Sequence, residues 1–128
     1  MKILVVDDNI INRKVLVKFL EPVGLPDEAV DGALAVACFS QAIHDHQPYE
    51  LVLLDIMMPV MDGIEALRAM RALEAEHEPG LRAKIVMVTA LNDASFRTRA
   101  FALGCERFMT KPVKRDTLME VLTELDIL

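Results

Sequence analysis

The sequence predicts an α/β fold, a doubly wound sheet of five parallel strands with helices on both faces. Three observations carry this expectation. Short apolar runs alternate with amphipathic helical stretches along the 128 residues. The runs lack a polar face: Leu51-Val52-Leu53-Leu54 is apolar throughout, the pattern of a strand buried on both sides of a parallel sheet. The connections between elements are short, as strictly alternating α/β units require.

The first strand is Ile3 to Val6, ended by Asp7 and Asp8. A helix follows with Asn9 as its cap. Ile11, Val15 and Phe19 recur every fourth residue, Leu16, Leu20 and Val23 fill the neighbouring stripe, and Gly24 and Pro26 stop the helix. Asp27 to Val30 is short enough to be an edge strand. Gly32 opens the second helix, whose apolar side is expected at Leu34, Cys38 (or Ala37) and Ala42. The polar stretch His44-Asp45-His46-Gln47-Pro48 leads to the third strand, which ends on Asp55. Pro59 and Gly63 mark the following loop. Asp62 and Glu65 have capping-box spacing, with Ile64, Leu67, Met70 and Leu73 as the helical stripe behind them. The run from Glu74 through Gly80 is expected to close that helix in an acidic, exposed turn. Ile85 to Val88 is the fourth strand, ended by Thr89. The next helix carries Phe96, Ala100 and Leu103 and stops at Gly104. Glu106 to Thr110 is the last strand, Lys111-Pro112 follows it, and Leu118, Leu122 and Leu125 line the final helix, with Met119 and Val121 nearby.

Right-handed crossovers and the need to cover both faces favour the flavodoxin-like strand order 2-1-3-4-5. That order makes the first and third strands neighbours. Ligands of open α/β sheets bind outside the C-terminal strand ends, and here those ends carry Asp7, Asp8 and Asp55.

Composition narrows the function. Aromatics are 5% of a chain that is 53% hydrophobic, so the core must be aliphatic. Fourteen basic against twenty acidic side chains give a net charge of −6, which argues against direct nucleic-acid binding, because phosphate backbones select basic surfaces. Cys38 and Cys105 lie in no CxxC or Cys/His cluster; they read as small buried hydrophobes in a reducing compartment rather than as a zinc site. The apolar N-terminus meets Asp7 and Asp8 too soon for a signal peptide or a membrane span. A soluble, cytoplasmic, single domain over residues 1–128 is expected, with no membrane contact and no output domain in this chain.

Three carboxylates at adjacent strand tips repel one another unless something positive sits among them. A hard divalent cation with oxygen ligands answers this, Mg2+ first and Mn2+ as a substitute. Thr89 brings a hydroxyl to the same edge and Lys111 an ammonium. Such a set suits an incoming phosphoryl group, with Asp55 as the nucleophile that forms an acyl phosphate. Each residue alone has a plainer reading: Asp7 or Asp8 as a helix cap, Thr89 as an ordinary strand end, Lys111 as a solvated charge, and His44, His46 and His77 as exposed polar residues. Their coincidence on one edge favours the joint reading.

Val5-Val6-Asp7-Asp8-Asn9, Leu53-Leu54-Asp55-Ile56-Met57-Met58-Pro59-Val60-Met61-Asp62-Gly63, Val88-Thr89-Ala90 and Lys111-Pro112 together resemble the response-regulator receiver domain over essentially the whole chain. Chemotaxis receivers are themselves standard examples of this strand order, so order and resemblance are not independent. The resemblance implies Asp55 as phosphoacceptor, Asp8 as a direct Mg2+ ligand, Asp7 acting largely through metal-bound water, and the Met57 backbone carbonyl completing the protein's share of the shell. It implies Thr89 and Ala90 as the phosphoryl-binding switch segment, Lys111 as the phosphoryl's cation, a cis peptide before Pro112, and Phe108 as the switch aromatic that changes the face formed by the fourth helix, fifth strand and fifth helix. A histidine kinase or histidine phosphotransfer protein would be the donor, and a downstream protein or output domain the receiver of the signal. A phosphorylation-dependent dimer is left open. Asn9-Ile10-Ile11-Asn12-Arg13 further resembles receivers fused to hybrid sensor kinases.

Two departures stand out. Phe108 lacks the tyrosine hydroxyl of some relatives, and Met57 and Leu91 place apolar groups where others carry polar ones. Among rival classes, haloacid-dehalogenase-type phosphatases need a second acid where this chain has Met57. A nucleotide-binding module would need a GxGxxG or GxxxxGK[ST] stretch, which is absent. A receiver fold that only docks proteins fits poorly with the complete set of five groups.

Overall fold

The computed structural model describes residues 1–77, 82–90 and 94–128. Among them five strands and five helices alternate: β1 (Ile3–Val6), α1 (Ile10–Phe19), β2 (Asp27–Ala29), α2 (Gly32–His44), β3 (Leu51–Leu54), α3 (Gly63–His77), β4 (Lys84–Thr89), α4 (Ala94–Ala102), β5 (Arg107–Thr110) and α5 (Arg115–Glu124). All strand pairs are parallel, in the order β2-β1-β3-β4-β5. The doubly wound flavodoxin-like order expected from the sequence is the order observed.

Alternate residues of the strands feed two cores. Leu4, Val6, Val52, Leu54, Ile85 and Met87 pack with Phe39, Leu67, Met70 and Ala100 of α2, α3 and α4. Ile3, Val5, Leu51, Leu53, Val86 and Val88 pack with Leu16 and Leu20 on the α1 side and with Leu118 and Leu122 of α5. Both faces are therefore dry, which explains why the strands read as unbroken apolar runs.

Two helix faces correct the sequence reading. On α1 the buried line is Leu16 and Leu20, while Ile11 is 70% exposed and Val15 is also exposed. A repeat of four residues drifts about 40° per step on a helix of 3.6 residues per turn, so the Ile11–Val15–Phe19 line starts in solvent and meets the core only at the partly buried Phe19. On α2 the inward residues are Ala35, Phe39, Ala42 and Ile43, with Cys38 partly buried against the same core; of the expected side Ala42 and Cys38 face inward as read, whereas Leu34 and the alternative Ala37 face solvent. Asp31 caps this helix, its side chain accepting from the Leu34 N–H at 2.8 Å.

The acidic end of α3 also differs from expectation. Glu74 is only 4% exposed and joins an ion network, whereas Glu76 and His77 are exposed. His44 and His77 are the last residues of α2 and α3 rather than loop residues. The continuation of the expected turn, Glu78-Pro79-Gly80, lies outside the described residues, as does Leu91.

A carboxylate cluster at the C-terminal sheet edge

Register fixes where the acids emerge. Val6 is paired with Leu54, and the next residue on each strand is an aspartate. The Asp55 N–H donates to the Val6 carbonyl at 3.0 Å, and the Asp7 N–H donates to the Ala29 carbonyl at 3.2 Å. Ladder pairing thus extends one step beyond the strands and holds both backbones as the side chains leave the sheet. Asp7, Asp8 and Asp55 can each present a carboxylate oxygen within 4.8 Å of the others. Asp7 and Asp55 are buried and Asp8 is exposed.

Lys111 reaches this cluster from the end of β5. Its Nζ donates to Asp7 Oδ2 at 2.6 Å and to Asp55 Oδ2 at 3.0 Å. The Lys111 N–H donates to the Thr89 carbonyl at 2.8 Å, tying the tips of β4 and β5 together. Thr89 is wholly buried, Ala90 is exposed, and the Lys111–Pro112 peptide is cis, as expected. The half-buried Phe108 lies on β5 with the Arg97 guanidinium 5.0 Å from its ring centroid.

The electrostatics are uneven. Burial pushes the Asp55 carboxyl above its ordinary range; the hydrogen bond and charge of Lys111 pull against it, the Asp7 charge adds to it, and the Met57 N–H opposes it. For Lys111 burial acts downward, but the bonds to Asp7 and Asp55 outweigh it and hold the ammonium above its usual value. The two directions agree: one cation shared between two acids is held firmly charged, while each acid is only partly compensated. Among the described residues, the three carboxylates counted with Lys111 alone carry an excess of two negative charges when all are ionised.

The loop after β3 is shaped by backbone contact. The Gly63 N–H donates to the Ile56 carbonyl at 2.8 Å, and a Cβ on Gly63 would sit 2.0 Å from the Asp55 carbonyl oxygen. Only glycine permits this approach. Asp62 caps α3 by accepting from the Glu65 N–H at 2.9 Å, as its spacing predicted. Met57 and Val60 are exposed, and Val60 adopts a φ of 71°, unusual for a β-branched residue. Between α1 and the β5–α5 connection, Val15, Leu16, Val88, Lys111, Pro112 and Val113 line most of a groove of about 370 Å³.

One residue at this edge escaped sequence reading. Arg13 is buried, and its Nη1 donates to the Asp7 carbonyl at 2.9 Å. Its only sequence signal was membership of the Asn9–Arg13 run.

A family model described as the response regulator receiver domain matches residues 3–123. The chain belongs to the response regulator receiver family. Receivers are the phosphoacceptor switches of two-component signalling. The hybrid signal transduction histidine kinase L of Dictyostelium discoideum is 37% identical over 122 residues, which cover 94% of this chain and 7% of that protein. The chain thus spans only a small part of the curated relatives it matches. Among solved structures, the receiver domain of the histidine kinase CKI1 from Arabidopsis thaliana, complexed with Mg2+, has a TM-score of 0.86 at 27% identity and covers 97% of this chain and 90% of that one. The receiver domain of the sensor histidine kinase PA1611 from Pseudomonas aeruginosa PAO1, with a magnesium ion in its active site cleft, has a TM-score of 0.79 at 31% identity and covers 96% and 94%. The three oxygen-bearing side chains here are of the kind a hard divalent ion takes, so the residues present fit that ion. Among the described residues no helix is long and apolar enough to cross a membrane.

Proposed function

We propose that this receiver accepts a phosphoryl group on Asp55 in a Mg2+-dependent reaction, from a phosphohistidine on a histidine kinase or histidine phosphotransfer protein. Phosphorylation then switches the face of α4, β5 and α5 to control a downstream protein or output domain. One observation carries the reading: Asp55 is a buried strand-end carboxylate that shares a single ammonium with Asp7 inside a cluster of three acids.

Asp8, Asp7, Asp55 and the Met57 carbonyl would hold the cation, Asp7 largely through water. Bound Mg2+, or Mn2+ in its place, supplies positive charge against the phosphoryl oxygens. An Asp55 carboxylate oxygen attacks phosphorus, the bond from phosphorus to the imidazole nitrogen breaks, and its electron pair stays on the imidazole. Lys111 turns from the carboxylates to a phosphoryl oxygen, and the Thr89–Ala90 segment receives another. With Thr89 drawn in, the Phe108 ring rotates inward and the neighbouring face changes. Coupling of about 1–3 kcal/mol is the usual scale for such a shift.

Exposed apolar side chains close to the carboxylates in sequence, Ile10 and Ile11 on α1 and Met57 and Val60 after β3, suit a protein rather than a free metabolite as donor. Met57 stands where a haloacid-dehalogenase-type phosphatase needs its second acid, which argues against turnover of outside phosphate esters. The domain's only chemistry is then its own phosphorylation and dephosphorylation. A cytoplasmic setting and one receiver domain over residues 1–128 complete the reading, and a phosphorylation-dependent dimer through the switched face is compatible with it.

Intact-mass analysis with a small phosphodonor and Mg2+ tests the proposal. Wild type should gain one phosphoryl group, and neither Asp55→Asn nor metal-free wild type should. Equal labelling of Asp55→Asn would remove Asp55 as the acceptor.

A further inference from the structure

We propose that Arg13 is a positioning residue for the cation site, acting through the peptide that joins Asp7 to Asp8; this rests on the metal-dependent reading above.

The Arg13 guanidinium is gripped on two sides. Nη1 donates to the Asp7 carbonyl at 2.9 Å in a buried contact, and Nε donates to Glu28 Oε1 at 3.1 Å. Glu28 is in turn held by Lys14 Nζ at 2.8 Å, and that hydrogen bond, ahead of the contribution from Arg13, lowers its pKa. Glu28 sits on β2 opposite Val5 of β1. The side chain therefore braces α1 against β2 and fastens the brace to the first residue beyond β1.

The fastened atom matters because a peptide unit is planar. Holding the Asp7 carbonyl fixes the plane that also contains the Asp8 nitrogen and Cα, and so the point from which the Asp8 side chain leaves the backbone, with only rotation about the Asp8 N–Cα bond left to aim it. Asp7 is then restrained at four points: its N–H by the Ala29 carbonyl, its carbonyl by Arg13, Oδ1 by the Asn9 N–H at 2.8 Å and Oδ2 by Lys111. Asp8 is exposed and follows the plane it is given. Arginine suits the task, since its planar fork serves two acceptors in different directions and it keeps its charge at every working pH. Outer groups that orient ligating residues typically change metal affinity 10–100-fold when removed.

Binding of Mn2+, followed by loss of the free-ion paramagnetic resonance signal and by Mg2+ competition, tests this on wild type, Arg13→Ala, Arg13→Lys and Leu122→Ala. Leu122 is fully buried on α5 and belongs to the core, so its variant reports destabilisation alone. Arg13→Ala should weaken both ions about 10–100-fold while remaining folded. Arg13→Lys, which can keep one of the two hydrogen bonds, should fall between it and wild type. Leu122→Ala should bind as wild type does despite a lower melting temperature. Unchanged affinity in Arg13→Ala overturns the proposal, as does an equal loss in Leu122→Ala. If Arg13→Ala does not fold, unchanged affinity in Arg13→Lys overturns it. Wild type that binds neither ion instead removes the underlying reading of the cluster.

Discussion

At the N-terminal ends of β4 and β5, Arg71 and Arg82 meet Glu74 and Glu106, and the charges balance. At the C-terminal ends of β1 and β3, three carboxylates meet one ammonium. The first group is closed by hydrogen bonds. Arg71 donates to Glu74 at 2.7 Å, to Glu106 at 2.9 Å and to the Ala83 and Gly104 carbonyls, while Glu74 and Glu106 each accept a backbone N–H at 2.6 Å, from Ala83 and Ile85. It joins α3 to the starts of two strands, and among the described residues its charges are matched within the group. The second group has surplus charge, a carboxyl held above its ordinary range, and an open neighbourhood. Two charged clusters of similar size on one sheet thus serve different ends, and net charge distinguishes them better than residue type does.

The largest expected effect lies at the balanced end. Arg71→Ala removes the cation paired with the largely buried Glu74, while Glu106 keeps Arg82 at 3.3 Å, and breaking such a buried pair costs about 3–5 kcal/mol. Urea denaturation should show that loss, while phosphoryl uptake by the folded fraction persists. A loss of uptake at full folding would dissolve the distinction between the two ends.

The acidic edge should behave in the opposite way. With the Asp55 carboxyl held above its ordinary range, chiefly by burial, the metal-free folded state binds that proton more tightly than the unfolded chain. Its contribution to stability is then greatest at low pH and declines as pH rises from the unfolded pKa through the raised folded one. Asp55→Asn should therefore be more stable than wild type without metal at neutral pH, the gap closing as pH is lowered into the ordinary carboxylate range. A less stable variant at neutral pH would mean that the Lys111 contact outweighs burial.

Met57→Asn sharpens the comparison kinetically. An exposed apolar side chain at Met57 is expected to be a poorer neighbour than an amide for a water attacking an acyl phosphate, so the variant should lose its label several-fold faster. An unchanged rate would remove the idea that Met57 slows dephosphorylation. The smallest effect belongs to neither end: Arg97→Ala removes the cation over the Phe108 ring, a contact worth about 0.5–1 kcal/mol at an exposed site. It should move the stability midpoint slightly and leave labelling of Asp55 intact.

What could be read from the sequence follows from range. The strands β1, β3 and β4 and the acidic edge were legible because each is signalled by a local apolar run that ends on a charged or polar residue, while the strand order came from crossover rules and the family resemblance. The exposed Ile11, Val15 and Leu34, read as core-facing, came from choosing among several apolar lines on a helix, a choice settled by packing against the sheet. Glu74 and Arg13 were missed for another reason. In a run such as Glu74-Ala75-Glu76-His77 nothing marks one acid as buried, and its fate is set by Arg71 together with Ala83, nine residues on. Arg13 likewise gains meaning only when Glu28, fifteen residues away, is folded beside it.

The missing side chain at Gly63 has a mechanical consequence. The first turn of α3 rests on the backbone of the strand tip, so helix and strand end form a lever with no slack. A protein tag grafted onto the outer surface of α3 would load the Asp55 backbone directly. The same graft on the short edge strand β2 would reach it only through the neighbouring β1.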